Sequence, residues 1–189
     1  MRVSREQVVE NHEQIVEAAS RLFRQQGFDG VSVDAIMQQA GLTHGGFYGH
    51  FKSKEDLAAQ AVARALQRAA ERQSRYTDIA DLVSNYLSPR HCADRANGCA
   101  IAALGADIVR QGKGVRRGLT THLRAQFDRF ARLLKEGTAA HRRRQAITTL
   151  AGMVGALTLA RAVDDPALSK EILAAVKDSL GTARADRDR

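Results

Sequence analysis

The sequence predicts an all-α protein with two lobes. Apolar residues recur at intervals of three and four through most of the chain, and the alternation typical of strands is almost absent. Serine or threonine precedes several of these amphipathic stretches, and glycine or proline follows several of them, as expected at helix ends. With 189 residues, 44% of them hydrophobic, the chain can bury one large core or two smaller ones.

Four helical segments are predicted before or around residue 57. A side chain able to cap the first amides stands before each segment: Ser4, Ser32, Thr43 and Ser53. The first helix covers about 5–26, the second lies between Ser32 and Gly41, the third is very short at 44–49, and the fourth runs from Lys54 to about Tyr76. Two short helices joined by a glycine-containing turn form the pattern of a helix-turn-helix.

The short third helix has an unusual composition, HGGFYG, followed by His50 and Phe51. Glycine disfavours a helix by about 1 kcal/mol relative to alanine, so three glycines in this stretch need a reason. A helix that enters the major groove must bring its backbone close to DNA, and small residues permit that approach. We expect Phe47 and Phe51 to point inward, and Tyr48 and His50 to offer polar tips to phosphates. Lys52 and Lys54, with free amides at the start of the next helix, form a second expected phosphate contact.

Residues 12–57 resemble the DNA-binding domain of the TetR (tetracycline-repressor) family of bacterial transcription regulators. The resemblance is carried by Ala18, Leu22, Phe23, Gly27, Phe28, Val33, Ile36, Ala40, Gly41, Leu42, Tyr48, His50, Phe51, Lys54 and Leu57. It implies base contacts near Thr43, His44, Gly45, Gly46 and Tyr48, and phosphate contacts by His50 and Lys54. Ser32 and Val33 complete the predicted DNA-binding set. Gly46 and Gly49 depart from the family's commoner residues.

The net charge of +8 does not locate this site. Residues 1–57 carry six Lys and Arg against eight Asp and Glu, a net charge of −2, so the excess lies in the remainder of the chain. What favours the helix-turn-helix is local, because no acid occurs from Ala35 to Lys54. The other basic residues, including Arg142, Arg143 and Arg144, are expected on solvated helix faces.

The rest of the chain predicts a second helical lobe. Further helices are expected at about 78–87, 97–110, 115–136, 139–162 and 167–181, with the segments SPRH, QGKG, EGT and DDP as breaks. The predicted domains are therefore 1–57 for DNA binding and 58–181 for effector binding and dimerisation, with a flexible tail at 182–189. The stretch Gln145–Ala160 is uncharged and carries Gly152 and Gly155, which fits either a buried helix or a dimer interface. The resemblance implies a homodimer through the last two helices and favours the interface.

The resemblance also implies a ligand cavity in the second lobe, although the sequence does not name the ligand. Candidate lining residues are Tyr86, Cys99, Ala103, His122 and Phe127. The expected function is a repressor that binds a palindromic operator as a dimer and is released by a small molecule. One alternative is a regulator that senses electrophiles or oxidants through Cys99, and a second is a helical interaction protein that does not bind DNA.

Other functional classes are not expected. His44 and His50 are six residues apart, with no cysteine or nearby acid to complete a zinc site, and the glycines match neither GxGxxG nor a phosphate-binding P-loop. No Glu-x-x-His pair and no nucleophile motif is present, so neither an enzyme nor a metal or cofactor is predicted. Two cysteines without CxxC spacing, no signal peptide and no membrane span predict a reduced, cytoplasmic protein.

Overall fold

The computed structural model describes residues 4–182 and contains helices but no strand within that range. The all-α prediction is confirmed. The α-helices are α1 Arg5–Gln26, α2 Val33–Gln39, α3 Lys54–Ser74, α4 Ile79–Tyr86, α5 Pro89–Ala93, α6 Ala100–Ile108, α7 Lys113–Leu133, α8 Ala139–Ala162 and α9 Pro166–Thr182, and a 3₁₀ helix spans His44–Gly49. Of the predicted tail at 182–189, all but Thr182 lies outside the described residues.

Serine side chains start the first three α-helices as the sequence predicts. Each Oγ accepts a hydrogen bond from an amide three residues later: Ser4 from Gln7 at 3.1 Å, Ser32 from Ala35 at 3.1 Å and Ser53 from Asp56 at 3.2 Å. These bonds satisfy amides that have no partner inside the helix. Thr43 precedes the 3₁₀ helix without such a bond. Its hydroxyl is therefore not used in capping.

The turn between α2 and the 3₁₀ helix is fixed by Gly41. Its φ of 73° lies in the left-handed region, where residues with a Cβ are strained. The Gly41 amide donates to the Gln38 carbonyl at 3.0 Å, and the Leu42 amide donates to the Met37 carbonyl at 2.9 Å. This pair of bonds is the Schellman motif, which ends α2 and sets the direction of the next helix.

Two hydrophobic cores organise the chain. The first contains α1, α2, the 3₁₀ helix and the N-terminal half of α3, and it also takes in apolar residues of α6 and Val115 of α7. The second is built mainly from α4, α7, α8 and α9. Since α6 packs on the N-terminal lobe, the predicted division at residue 57 falls within a shared core and stays a prediction.

Helix α3 connects the two cores. Leu57, Ala61 and Leu66 are buried in the first core, and the C-terminal half of α3 extends toward the second lobe. Two ion pairs hold α3 against α1: Arg64 with Glu13, and Arg68 with Glu17 at 2.8 Å. Helix α3 is therefore joined to α1, the helix that supports the helix-turn-helix.

The segment Ser88–His91 was predicted to be a break, and α4 does end before it, at Tyr86, but its last three residues are helical. It begins the short helix α5, in which Ser88 Oγ accepts from the His91 amide at 3.2 Å and Pro89 occupies the first turn. Proline is tolerated there because the first amides of a helix have no internal partner. Arg161 of α8 fixes the end of α5 by donating to the carbonyls of His91 and Cys92 at 2.9 and 3.0 Å.

Helices α8 and α9 pack together and leave one side of α8 exposed. Gly152 faces α9, where an added Cβ would lie 3.6 Å from Leu180, whereas the space beside Gly155 is open. The open side continues along α8 through uncharged residues: Ile147, Thr148, Ala151, Gly155, Thr158, Leu159 and Ala162. Leu159 is 58% exposed. Within residues 4–182, no helix is long and apolar enough to cross a membrane.

The arginine run before this face is only partly solvated, contrary to the sequence-based expectation. Arg142 donates to the Gly137 carbonyl at 2.5 Å. Arg143 pairs with Asp128 and lies 5.3 Å from the centre of the Phe127 ring, whereas Arg144 is exposed. The first two arginines therefore fasten α8 to the preceding turn and to α7.

Candidate functional site

Two buried phenylalanines anchor the 3₁₀ helix. Phe47 is 1% exposed and Phe51 is 2% exposed, and their ring centres are 5.6 Å apart. Tyr48, between them in sequence, is 72% exposed and meets Phe47 edge-on at 5.2 Å. The inward direction of both phenylalanines is thus as predicted. Because the anchors are held in the first core, the Tyr48 hydroxyl is presented to solvent on a rigid support.

The glycines of the 3₁₀ helix have no structural requirement inside the chain. A Cβ at Gly45 or Gly49 would meet no heavy atom within 4 Å, and one at Gly46 would make an ordinary 3.7 Å contact with Met37. None of the three has a positive φ. Neither packing nor backbone conformation therefore explains them, and all three are exposed. The reason for bare backbone at this surface must lie outside the fold.

His44 has a partner that the sequence analysis missed. Its Nδ1 lies 2.5 Å from Oδ1 of Asp34, and both side chains are exposed. Asp34 stands immediately before the acid-free stretch, in the first turn of α2. The Schellman turn brings the two residues together although ten positions separate them. The pair orients the imidazole and also places one negative charge beside the surface.

The remaining residues at the start of α2 and of the 3₁₀ helix differ in their exposure. Thr43 and Ser32 are exposed, although the Ser32 hydroxyl oxygen already caps α2. Val33 is half-buried and packs against the first core. Its methyl groups are therefore only partly available for contact with DNA.

His50 lies at the edge of the first core beside His12, a residue that the sequence analysis did not single out. The two ring centres are 6.0 Å apart. His12 stacks on Phe51 at 4.6 Å, and its Nε2 lies 2.9 Å from Oε1 of Gln60. Burial, and secondly His12, lower the pKa of His50. At neutral pH His50 can therefore contact a phosphate as a neutral hydrogen-bond donor.

The start of α3 is less open to phosphate than expected. The Asp56 amide is already bound by Ser53, and the Asp56 carboxylate accepts from the Lys52 amide at 3.1 Å. This bond, followed by one from Gln60, lowers the pKa of Asp56. The predicted free amides are thus partly occupied by the chain itself. The Lys52 side chain is exposed and that of Lys54 is half-buried, so the positive charge in this zone comes from these two side chains.

Known proteins share this arrangement. The family model for bacterial regulatory proteins of the tetR family matches residues 15–61, which contain the helix-turn-helix and its supporting helices. These residues form a DNA-binding domain of the TetR family. The chain is a transcriptional regulator with an N-terminal DNA-binding domain, as the resemblance predicted. Members of this family bind DNA and act as dimers.

Individual relatives agree with this assignment. The transcriptional regulator LmrA of Bacillus subtilis is 25% identical over 155 residues, which are 77% of this chain and 82% of that protein. A match to AcrR of Shigella flexneri is local, with 39% identity over 31% of this chain and 27% of that protein. Among solved structures, a TetR regulator from Chloroflexus aurantiacus has a TM-score of 0.78 at 24% identity and covers 96% of this chain and 97% of its own.

The regulator also contains a cavity of about 340 Å³ in its C-terminal lobe. Its walls come from the end of α3, from α4 and α5, and from the loop 94–99. Of the predicted lining residues, Tyr86 and Cys99 face this cavity, whereas Ala103, His122 and Phe127 do not line it. Ala103 packs against the first core, and Phe127 packs against the second core beneath Arg143. Within residues 4–182, no cluster of three His, Cys, Asp or Glu side chains suits a metal ion.

Tyr86 is the most unusual group in the cavity wall. The residue is 6% exposed, and its hydroxyl makes no hydrogen bond to a nitrogen or oxygen atom but interacts with the Cys99 thiol. Burial, followed by the neighbouring Cys99 thiol, raises its pKa well above the ordinary value. The phenol therefore stays protonated at physiological pH. It is a buried donor whose neighbouring acceptor, a thiol, is a weak one.

Three arginines that the sequence analysis assigned to an outer helix face or passed over line the same cavity: Arg72, Arg75 and Arg90. Their contribution could not be read from the sequence, because it depends on which face of α3 meets α4 and α5. His91 also borders the cavity. Its Nε2 accepts from the Cys99 amide at 3.2 Å, so its Nδ1 carries the proton and donates to the Tyr86 carbonyl at 2.7 Å.

The loop 94–99 joins the cavity to the DNA-binding lobe. Arg24 of α1 is 7% exposed and donates from Nε to the Ala96 carbonyl at 2.6 Å and from Nη1 to Ser20 Oγ at 2.8 Å. Burial lowers the pKa of Arg24 to about 10. At the next residue of the loop, the Asn97 carbonyl accepts from Arg72 at 3.0 Å. One short loop is thus bound by an arginine of the first lobe and by an arginine of the cavity.

Proposed function

We propose that this regulator is a repressor that binds a near-palindromic operator as a homodimer and is released when a small molecule enters the cavity. The observation that carries the DNA-binding surface is the set of glycines at 45, 46 and 49, which the fold itself does not require. Close approach of a large polyanion supplies the missing reason.

The proposed DNA contacts follow from exposure. The exposed side chains proposed to meet the bases are those of Thr43, just before the 3₁₀ helix, and of His44 and Tyr48 within it. Gly45 and Gly46 lie between them, and Gly49 follows Tyr48. His50, Lys52 and Lys54 lie on the phosphate side, and Ser32 and Val33 approach from the start of α2. These proposed contact residues include no arginine, so recognition of the bases would depend on tyrosine, threonine and histidine.

The proposed dimer uses the exposed uncharged side of α8 together with α9. Ile147 and Leu159 lie on that side, and Gly155 leaves room for a close helix contact. A two-fold dimer presents two recognition helices about 34 Å apart, which requires two inverted half-sites. The variant Ala151→Arg would place a charge in the middle of this face, and light scattering is expected to show a monomer. The matched control is Ala125→Arg, at an exposed position of α7, which should remain a dimer.

Release by a small molecule is supported by the connection through the loop 94–99. A ligand that bonds Arg72 competes with the Asn97 carbonyl for the guanidinium, and the adjacent Ala96 carbonyl holds Arg24 of α1. A shift of the loop would then change the position of α1 and, with it, the spacing of the two recognition helices. Differential contacts of this kind are what an effector needs to shift an equilibrium between two states.

The operator is tested by selecting bound sequences from random duplex DNA and footprinting the enriched sequences. The proposal expects an inverted repeat whose enrichment is lost in Tyr48→Ala. The control is Tyr76→Ala, which removes a tyrosine from the cavity wall but leaves the recognition surface intact. If the folded, dimeric protein enriches no sequence, DNA binding by this surface is refuted.

Cys99 supports a second candidate function, that of a regulator that responds to electrophiles. Its thiol lines the cavity, so a reactive molecule that enters the cavity would meet it. The thiol is nonetheless buried, and alkylation with iodoacetamide should be slow unless the cavity opens. Loss of operator binding after alkylation, abolished in Cys99→Ser but not in Cys92→Ser, would favour this function over reversible release.

A further inference from the structure

The electrostatic character of the cavity is positive. Arg72, Arg75 and Arg90 line it, and within the described part of the chain none of these guanidinium groups forms an ion pair. The acid in the wall, Asp94, is turned toward its own loop, where Oδ1 accepts from the amide and the side chain of Asn97 at 3.1 and 3.0 Å. The three arginines are exposed and outnumber the one acid of the wall, so the wall of the cavity carries a net positive charge.

The aromatic side chains of the wall do not offer a site for a cation. The Arg75 guanidinium lies 5.0 Å from the centre of the Tyr76 ring and donates to the Tyr76 hydroxyl at 2.9 Å. The ring that could stack on a cationic ligand is thus already covered by a positive group. A cationic effector would face three exposed arginines, whose like charge disfavours it.

The wall of the cavity is rich in hydrogen-bond donors. Tyr86 has a buried hydroxyl that bonds no nitrogen or oxygen atom and has only a weak acceptor, the Cys99 thiol, beside it, and its raised pKa keeps the proton on that oxygen. Arginine has only donors, and its planar group binds carboxylate or phosphate oxygens in pairs. Ala69 and Leu82 add apolar wall between these groups. Such a mixture suits a molecule with a short apolar body and a charged acceptor group.

We infer that the effector is a small organic anion whose carboxylate or phosphate group accepts a hydrogen bond from Tyr86 and pairs with the arginines of the cavity. The inference rests on the proposed function, since it names the chemistry of the molecule that releases the operator. Arg72 is the arginine that also holds the loop 94–99, so binding of the anion there is linked to α1 through the Ala96 carbonyl.

Matched pairs of acids and neutral molecules test the charge requirement. Full-length protein is titrated by calorimetry with benzoate and benzamide, with phenylacetate and phenylacetamide, and with phenyl phosphate and phenol. Each anion is expected to bind at least about tenfold more tightly than its neutral partner, because a charged hydrogen-bonded pair contributes that much. The tighter of the carboxylate and phosphate probes identifies the head group.

Variants test the assigned donors. Arg75→Gln and Arg90→Gln should each weaken the preferred anion by about tenfold, and Tyr86→Phe should weaken it by about threefold, because one neutral donor is lost. The matched control is Arg124→Gln, which removes an exposed arginine of α7 outside the cavity and should leave the affinity unchanged. Circular dichroism and thermal unfolding establish that each variant is folded.

The opposite results would overturn the inference. Equal binding of acids and amides, no binding of any anion by folded protein, or inorganic phosphate alone binding as tightly as phenyl phosphate would each refute an organic anion. Operator affinity is measured separately on the selected DNA. Anion binding without any change in operator affinity would leave the site in place and refute release by its occupant, whereas failure to select an operator would refute the repressor itself.

Discussion

The recognition segment and the cavity place their polar groups in opposite ways. Around the 3₁₀ helix, the buried residues are the aromatic anchors Phe47 and Phe51, while Tyr48 and Thr43 are exposed and the glycines lie in open space. In the cavity, the hydroxyl of Tyr86 is buried beside the Cys99 thiol, a weak acceptor. The polar groups proposed to meet DNA are thus exposed at no cost to folding, whereas burial of the Tyr86 hydroxyl carries a cost that an acceptor on a ligand would reduce.

Replacing the anchor of the recognition segment should have the largest effect on stability. Phe47→Ala is expected to lower the free energy of unfolding by about 3–5 kcal/mol, because it empties a fully buried aromatic site. Tyr48→Ala, one residue later, should change it by less than about 0.5 kcal/mol while abolishing operator binding. Denaturant unfolding and gel-shift titrations measure the two properties. Comparable destabilisation by both variants would contradict the assignment of Phe47 to the core and of Tyr48 to DNA recognition.

Replacing the arginine that joins the two lobes should have the second-largest effect on stability. Arg24→Gln should lower the free energy of unfolding by about 2 kcal/mol, since the buried Ala96 carbonyl and Ser20 hydroxyl lose a charged donor. Arg21→Gln, an exposed position three residues earlier, is the matched control and should have little effect. If the two variants unfold at the same urea concentration, the bond to the loop contributes nothing to stability.

Glycine substitutions separate conformational from functional glycines. Gly41→Ala should destabilise the protein by about 1 kcal/mol because of its positive φ. Gly45→Ala and Gly49→Ala should leave stability unchanged within about 0.5 kcal/mol. Each should nonetheless reduce operator affinity about tenfold or more, equivalent to about 1.4 kcal/mol. Normal operator binding by both alanine variants would show that close approach at these positions is not needed.

Removing the buried hydroxyl of the cavity should not destabilise the protein. In the absence of ligand, Tyr86→Phe is expected to leave the free energy of unfolding unchanged within about 0.5 kcal/mol or to raise it, because the hydroxyl bonds no nitrogen or oxygen atom and the Cys99 thiol is a weak acceptor. Tyr76→Phe is the matched control, since it removes a hydroxyl that accepts from Arg75 and should not stabilise. Thermal unfolding compares the two. Destabilisation by Tyr86→Phe would mean that its hydroxyl has a partner in solution.

The smallest expected effect is on the pH dependence of the free energy of unfolding. Burial is the largest cause that lowers the pKa of His50, His91 and His122 in the native protein. Below the ordinary histidine pKa of about 6.5, the unfolded chain therefore binds more protons than the native state, and stability falls as pH decreases. Urea midpoints between about pH 8 and pH 5.5 measure this slope. His122→Gln should flatten it, and an unchanged slope would count against the buried neutral state of this residue.

Local signals in the sequence were sufficient for most of the fold. Ser4, Ser32 and Ser53 start their helices through bonds within three residues, and the bounds 139–162 of α8 were predicted as they are. The inward direction of Phe47 and Phe51 was expected because they are large aromatic side chains without a polar tip. These features depend on neighbours in the chain, which is why a sequence can reveal them.

Contacts between distant segments could not be predicted in the same way. The pair of Asp34 and His44 requires the Schellman turn, and the packing of α6 on the N-terminal lobe is not encoded in any local pattern. Of the five candidate residues for a ligand site, Tyr86 and Cys99 lie in the cavity wall and three do not, because hydrophobicity alone does not show which helix faces meet. Their role toward a ligand stays a prediction. The arginines of α3 were expected on a solvated face, and Arg72 and Arg75 are exposed. That they also line the cavity could not be read from the sequence.

The bond between Arg24 and the loop 94–99 has an evolutionary consequence, because the loop contributes main-chain carbonyls. Arg24 and Arg72 both donate to peptide oxygens, at residues 96 and 97, which every amino acid supplies. Substitution in the loop therefore need not remove the acceptors that join the two lobes. A descendant of this chain could acquire a new effector by changing Arg75, Arg90 or Tyr86 and retain the same connection to DNA.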